Sequence, residues 1–331
     1  MIKHYIRIIL IFFNFIIIVF QDRLQDDLKY FLGIYKISVI TPIFNSEIFL
    51  KLTLNSIMNQ TLKNIEIICI DDGSTDNSLM ILKEYQQFEK RLKILTQNNQ
   101  GSGVARNNGI NLSKGKYIAF MDSDDLYPNN FTLELLYNKA KKNKAIICGG
   151  GLNEFDNLNK TLRLLEQKEN FTFNTEGFIN YLDYQYDYGY YRFIYDLKFI
   201  KKNKILFPKY LRYQDPPFFI KAMALSKKFY ALNEITYYYR KSNKIWSEQK
   251  IIDQYKGFHY SLQLCQKYNL TKLYCIIIGR LNTQIFLLPT KLFIKSKQLK
   301  NIINQILKNI NYDLLQKEKV FFELNNIYQN I

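Results

Sequence analysis

Histidine is nearly absent from this chain: His4 and His259 are the only two in 331 residues, and neither lies in a polar cluster. That scarcity excludes a Ser-His-Asp hydrolase and an imidazole-built zinc site, so acid–base chemistry falls to carboxylates. Cysteine is also sparse. Cys69, Cys148, Cys265 and Cys275 form no C-x-x-C pair, and Cys69 and Cys148 sit in apolar runs, which predicts inert buried thiols. Repeats and linkers are lacking, so the two halves of the chain are expected to pack on one another. Acidic residues are the minority, 29 Asp and Glu against 46 Lys and Arg, for a formal net charge of +17. Such a field favours nucleotide phosphates, anionic lipid headgroups or nucleic acid without choosing among them. Biased composition in a Lys-, Asn- and Ile-rich proteome accounts for part of it. With 47% hydrophobic and 23% charged residues, the chain can bury a substantial core and is not disordered.

A long hydrophobic run is missing as well. Ile8 to Phe20 is apolar except for Asn14, with Lys3 and Arg7 before it and Gln21-Asp22-Arg23 after it. That is short of the roughly 20 residues a helical span needs. It has the length of a signal-peptide core, yet no small-x-small cleavage site follows. A short uncleaved anchor, a helix lying in the interface and a packed N-terminal helix all fit. The expectation carried forward is membrane association through this segment, the remainder being cytoplasmic and the basic flank keeping the amino terminus on that side.

What is present from Lys36 onward is a strong alternation. Apolar runs at Ile37–Ile40, Ile65–Ile70, Leu92–Leu95, Tyr117–Met121 and Ala145–Cys148 predict strands. Between them, Ile48–Gln60, Ser78–Phe88, Gly103–Ser113 and Asn130–Lys142 predict helices. Strands that are apolar throughout, separated by helices, indicate an α/β fold with a parallel sheet covered on both faces. Ligands in such sheets sit beyond the carboxyl ends of the strands. The polar runs at Thr41, Asp71 and Asp122 all lie at those ends. After Gly149-Gly150-Gly151 the alternation fades into an aromatic stretch that includes Tyr181, Tyr184, Tyr186, Tyr188, Tyr190, Tyr191 and Tyr195. Beyond Trp246 the chain reads as helices, with Leu299, Ile302, Ile306 and Ile310 at amphipathic spacing.

Each motif carries a functional and a plain reading. Asp122-Ser123-Asp124-Asp125 sets three carboxylates after an apolar strand, which suits a hard divalent cation shared with substrate phosphates; a solvated turn with a helix cap is the alternative. In Asp71-Asp72-Gly73-Ser74-Thr75-Asp76, turn and cap chemistry accounts for Gly73, Ser74 and Asp76, leaving Asp72 to accept a hydrogen bond from a base or ribose. Gly101-Ser102-Gly103-Val104-Ala105-Arg106 has Arg106 in place of a third glycine and no first βα unit before it, which excludes NAD binding. Arg106 either neutralises phosphate or pairs with a neighbouring carboxylate. Asp215, among aromatics and prolines in Tyr213-Gln214-Asp215-Pro216-Pro217, is a desolvated general base or a helix cap.

Together these motifs resemble glycosyltransferase family 2, closely over residues 36–130 and more loosely over 200–240. The resemblance rests on Ser38-Val39-Ile40-Thr41-Pro42-Ile43-Phe44-Asn45, with Phe44 where Tyr is commoner. It continues through Asn59-Gln60-Thr61, Glu66-Ile67-Ile68 and Asp71 to Asp76. Asn98 to Gly101, Ala105-Arg106-Asn107-Asn108-Gly109 and Gly115 to Asp125 complete it. It implies a GT-A fold: a Rossmann-like, mostly parallel sheet with helices on both faces, here with a C-terminal helical region. It places Asp72 on the nucleobase, Pro42 and Asn45 along the nucleotide, and Asp124 and Asp125 on the ribose and the metal-bound diphosphate. Arg106 joins the nucleotide-binding set, Mn2+ or Mg2+ is the implied cofactor, and Asp215 becomes the catalytic base. The Glu that usually precedes that base is Gln214.

The reading is therefore an enzyme, an inverting and metal-dependent transferase of a hexosyl or N-acetylhexosaminyl group. It moves sugar from a nucleotide-sugar donor to a glycan or lipid-linked hydroxyl acceptor, as in polysaccharide biosynthesis, with an anionic membrane surface as a further partner. A catalytically inactive nucleotide-sugar-binding relative is the alternative. A nucleotidyltransferase lacks support because Thr41 to Ser46 holds neither Gly nor Lys, and no recognised motif accompanies the basic charge to suggest nucleic acid. The expected divisions are 1–35 (apolar segment and connector), 36–150 (donor half), 151–245 (acceptor half) and 246–331 (helical region).

Overall fold

The computed structural model describes residues 33–158, 161–164, 171–241, 247–286 and 296–317. The N-terminal part runs β1 (Ile37–Ile43), α1 (Glu47–Met58), β2 (Ile65–Asp71), α2 (Ser78–Phe88), β3 (Leu92–Thr96), α3 (Ser102–Leu112), β4 (Tyr117–Phe120) and α4 (Thr132–Lys142). There follow β5 (Ile147–Leu158), β6 (Thr161–Leu164), β7 (Gly177–Asn180), α5 (Tyr181–Tyr184), β8 (Phe193–Asp196), α6 (Leu197–Lys202), α7 (Asp215–Ser226) and β9 (Lys228–Arg240). The chain closes with α8 (Glu248–Tyr268), α9 (Thr271–Phe286), α10 (Lys297–Lys308) and α11 (Tyr312–Lys317).

Among the described residues one mixed sheet of nine strands, in the order β3-β2-β1-β4-β8-β5-β9-β7 with β6 beside β5, runs through both halves. β3, β2, β1 and β4 are parallel neighbours, while β8 enters antiparallel between β4 and β5. Every residue of β1, β2 and β4 is buried, as their unbroken apolar runs require when helices cover both faces. α3 lies across β1 and β2 at close range: a methyl group on Gly109 would meet Ile40 Cγ2 at 2.3 Å. Strand order reverses at β1, whose neighbours β2 and β4 leave a crevice at their carboxyl ends, the place where such sheets bind ligands.

Two expectations are corrected by the sheet. The strand expected over Ile37–Ile40 continues through Thr41 and Pro42 to Ile43. Ile40 O accepts from Met121 N and Ile43 O from Asp72 N, so alternation turns residue 42 toward β4, past β4's last partner, Ile40. No ladder hydrogen bond is lost there, and the proline is tolerated. The boundary expected after residue 150 falls inside β5. Gly149, Gly150 and Gly151 are strand residues that admit close neighbours: an added Cβ would meet Phe193 Cδ1 at 2.2 Å, Glu234 O at 2.3 Å and Ile235 Cδ1 at 2.7 Å respectively.

The aromatic stretch builds core. Tyr181, Tyr190 and Tyr195 are fully buried, and Phe120 packs against Tyr190, Phe207 and Phe218. All four cysteines are free and buried, and burial pushes the Cys69, Cys148 and Cys265 thiols far up. α8 packs on α7, and α9 and α10 pack on α8, with Leu299, Ile302 and Ile306 turned inward as their spacing predicts. Membrane association through residues 8–20 is not supported. No helix among the described residues is long and apolar enough to cross a membrane, and the 8–20 segment itself lies outside them.

Candidate active site

The crevice beyond β1, β2 and β4 is a cleft of about 300 Å³ lined by Pro42, Asn45, Asp72, Arg106, Asp122 and Asp124, among others. The structure thus gathers five of the seven expected site residues in one place. Asp125 and Asp215 do not line it.

Asp72 closes the β2 end. Its Oδ1 accepts from Gln97 Nε2 (2.7 Å) and Gln100 N (2.8 Å), and its Oδ2 accepts from Gly101 N (2.8 Å). The loop between β3 and α3 is therefore folded around this carboxylate. Gly73 makes the turn possible: it stands at φ +75°, and a side chain there would press on Asn99 N at 3.1 Å. Asn45, at φ +49°, accepts from Thr75 N at 2.8 Å and so ties the β1 turn to the β2 turn.

The acidic run is split by its surroundings. Asp122, a quarter exposed, accepts from Arg106 Nη2 at 2.7 Å, while its amide donates to Tyr237 Oη at 3.1 Å. Asp124 faces the cleft. Asp125 turns the other way and is fully buried: Tyr237 Oη donates to its Oδ2 at 2.7 Å and Arg240 N to its Oδ1 at 2.7 Å. Burial first, then the charges of Asp124 and Asp122, pushes the Asp125 carboxyl well up, against the pull of those two donors. Asp125 is thus a brace between the acidic turn and β9, not a cleft ligand. Among the described residues, no group of three or more His, Cys, Asp or Glu could hold a metal unaided. One or two carboxylates completed by substrate phosphates and water, a common Mg2+ arrangement, remain compatible with Asp122 and Asp124.

Arg106, 4% exposed, is committed to Asp122 and Ser102 and lies 5.2 Å from the Tyr190 ring centre. Burial alone would lower its pKa; Asp122, Tyr190 and Asp215 outweigh that and raise it. The ion pair, one of the two readings of Arg106, is formed at the wall of the cleft. Asp215 opens α7 within electrostatic reach of Arg106 and Asp122. Its pKa is raised, by burial first, with Arg106 opposing and Asp122 assisting. Gln214 donates to Ser102 Oγ at 2.9 Å, and its Oε1 finds no hydrogen-bond partner among the described residues.

Motif reading missed Tyr237 and Arg240. Arg240 Nε donates to the Asp124 carbonyl at 2.6 Å, and its guanidinium lies 4.2 Å from the centre of Phe49, a cleft residue. The run Ile235-Thr236-Tyr237-Tyr238-Tyr239 signals a strand, but nothing in it signals its partner. Glu66, within the family motif, is structural: buried at the amino end of β2, away from the cleft, it accepts from Ser38, Lys93 and Lys114.

The model of the family described as Glycosyl transferase family 2 matches residues 38–203. A poly(ribitol-phosphate) beta-glucosyltransferase of Bacillus spizizenii is 33% identical over 219 residues, covering 62% of this chain and 32% of that one. This chain therefore spans about a third of that relative's length. Among solved structures, S. aureus TarS 1–349 in complex with UDP-GlcNAc superposes with a TM-score of 0.67 at 22% identity, covering 84% of this chain and 82% of that one. A mannosyltransferase of Pyrobaculum calidifontis in complex with GDP-Man and Mn2+ gives 0.52 at 12% identity, covering 83% and 86%. These likenesses carry the GT-A fold, and with half the sequence matched by the family's own model, the chain belongs to glycosyl transferase family 2.

Proposed function

We propose that this chain transfers a sugar from a nucleoside-diphosphate sugar to an acceptor hydroxyl with inversion. The observation that carries the proposal is the convergence of Asp72, Asp122 and Asp124 on one cleft at the strand-order reversal, with Asp215 beside the Arg106–Asp122 pair. Asp72 keeps room on Oδ2 for one more donor, which suits a nucleobase N–H. Pro42 and Asn45 wall the nucleotide. Asp124, with the outer oxygen of Asp122, would hold Mn2+ or Mg2+ against the diphosphate, and a bound ion would neutralise charge on the leaving group. Asp125 and Arg106 fix those two carboxylates in place. Asp215 accepts the proton of the attacking hydroxyl, and its raised pKa suits that work near neutrality. The charge of +17 favours an acceptor that bears phosphate or other anions, glycan or lipid-linked. A relative named for poly(ribitol-phosphate) agrees with that class.

The test is thermal unfolding with UDP-glucose, UDP-N-acetylglucosamine and GDP-mannose, each with and without Mn2+. A ligand at one hundred times its Kd stabilises by about 2.7 kcal/mol. One donor is expected to raise the melting temperature by several degrees with Mn2+ and by much less without it. Protection by none of the three would overturn the donor class. Protection without release of nucleoside diphosphate would favour the inactive binding relative.

A further inference from the structure

Three consecutive residues before the Gln214-Asp215 pair are each tied to the C-terminal helices, and none of the ties is local. Leu211 N donates to Asp253 Oδ2 of α8 at 2.9 Å. That carboxylate is itself held by Gln249 and Lys256, at 2.9 and 2.8 Å to Oδ1. Arg212 Nε donates to Gln254 Oε1 at 3.2 Å. Tyr213 stands in the left-handed region at φ +61°, a costly conformation for a bulky residue that the surroundings must enforce.

What enforces it is visible on three sides of Tyr213. Its ring packs on Phe258 with centres 4.4 Å apart. Its backbone rests on Gly257, where an added Cβ would meet Tyr213 O at 2.6 Å and Tyr213 Cβ at 2.9 Å. Its hydroxyl donates to Asp187 Oδ2 at 3.4 Å, and Asp187, buried, receives Arg280 Nη1 of α9 on both oxygens, at 2.7 and 2.8 Å. Only the Asp187 end of this pair is buried, the Arg280 side chain being 39% exposed, so removing Arg280 leaves a buried carboxylate without compensation.

We infer that Gly257, Arg280 and Asp187, acting through Tyr213, are positioning residues that set where Asp215 stands relative to the cleft. All three fall outside residues 38–203 or in the aromatic connector, away from the donor motifs. The donor half carries the nucleotide, and the α8–α9 pair aims the base. This inference rests on the reading of Asp215 as that base. A displacement of about 1 Å in a reacting group can cost on the order of 10²-fold in rate, so loosening this seat reaches turnover without touching donor binding.

The experiment compares Arg280→Met, Arg280→Lys, Gly257→Ala, Thr283→Ala and Asp215→Asn. Release of nucleoside diphosphate is followed with the donor selected by the thermal screen and water as acceptor. Arg280→Met and Gly257→Ala are expected to lower kcat on the order of 10²-fold at unchanged donor KM. Arg280→Lys should recover most of the loss, since a single nitrogen of Arg280 makes both contacts to Asp187. Thr283→Ala, at an exposed position on α9, should behave as the parent. If Arg280→Met fails to fold, Gly257→Ala, which adds one methyl, decides. Parental kcat in Gly257→Ala and Arg280→Met while Asp215→Asn is inactive sinks the positioning role alone. Parental kcat in Asp215→Asn sinks the base assignment, and the inference with it.

Discussion

Asp215→Asn is expected to lower turnover by about 10²–10⁴-fold, the usual share of a general base, while Mn2+-dependent protection by the sugar nucleotide persists. The substitution is close to isosteric and keeps a polar group at the start of α7, so what it removes is proton acceptance. Its effect on stability has the opposite sign to a damaging mutation. The raised carboxyl means the folded protein prefers Asp215 neutral. Stability from that group is therefore full below the ordinary carboxylate pKa and is lost as pH rises through the elevated one. Above the ordinary carboxylate range the group therefore costs stability, and Asp215→Asn should melt no lower than the parent. A variant that keeps near-parental turnover would show that another group takes the proton.

Asp124 and Asp125, adjacent in sequence, should fail in different assays. Asp125→Ala leaves Tyr237 Oη and Arg240 N without their acceptor in a fully buried place. Leaving a buried donor unsatisfied costs about 1–3 kcal/mol each. Removing a desolvated carboxyl offsets part of that, so a fall of several degrees in melting temperature is the expected result. Asp124→Asn sits at the cleft and disturbs neither donor. It should melt near the parent and lose the Mn2+-dependent part of sugar-nucleotide protection. Thermal unfolding of both variants, with and without donor and Mn2+, checks the pair. The reverse pattern, a stable Asp125→Ala that no longer responds to Mn2+, would return Asp125 to the metal.

Much of the donor half is legible in the sequence because its determinants are local. Apolar runs give β1 to β4, and Asp and Gly at their ends mark the turns, so the two acidic turns at the cleft are located from position, while the choice of Asp124 within its run comes from the family resemblance. Side-chain direction is not local. Whether Asp125 faces the cleft or β9 depends on Tyr237 and Arg240, 112 and 115 residues away. Arg106 poses the same problem in reverse: its pairing with Asp122 was one of two readings that only tertiary packing could separate. The triple glycine misleads for a related reason. Read along the chain it resembles a break, yet it is a strand interior thinned so that Phe193 and the β9 backbone can approach. The seat of Asp215 is written in Gly257 and Arg280, residues unremarkable on their own helices.

The ladder from β4 through β8 and β5 to β9 carries a consequence for how the molecule comes apart. The parts of the chain before and after residue 150 are not modules joined by a tether; they share the main-chain hydrogen bonds of one sheet. A chain severed between Gly150 and Gly151 would leave each fragment with a raw sheet edge, ready to pair with the wrong neighbour. The two halves should accordingly melt as one cooperative unit. Among the described residues no break in this ladder separates the acidic turn after β4 from β9, so the two sides of the cleft cannot part without breaking main-chain hydrogen bonds.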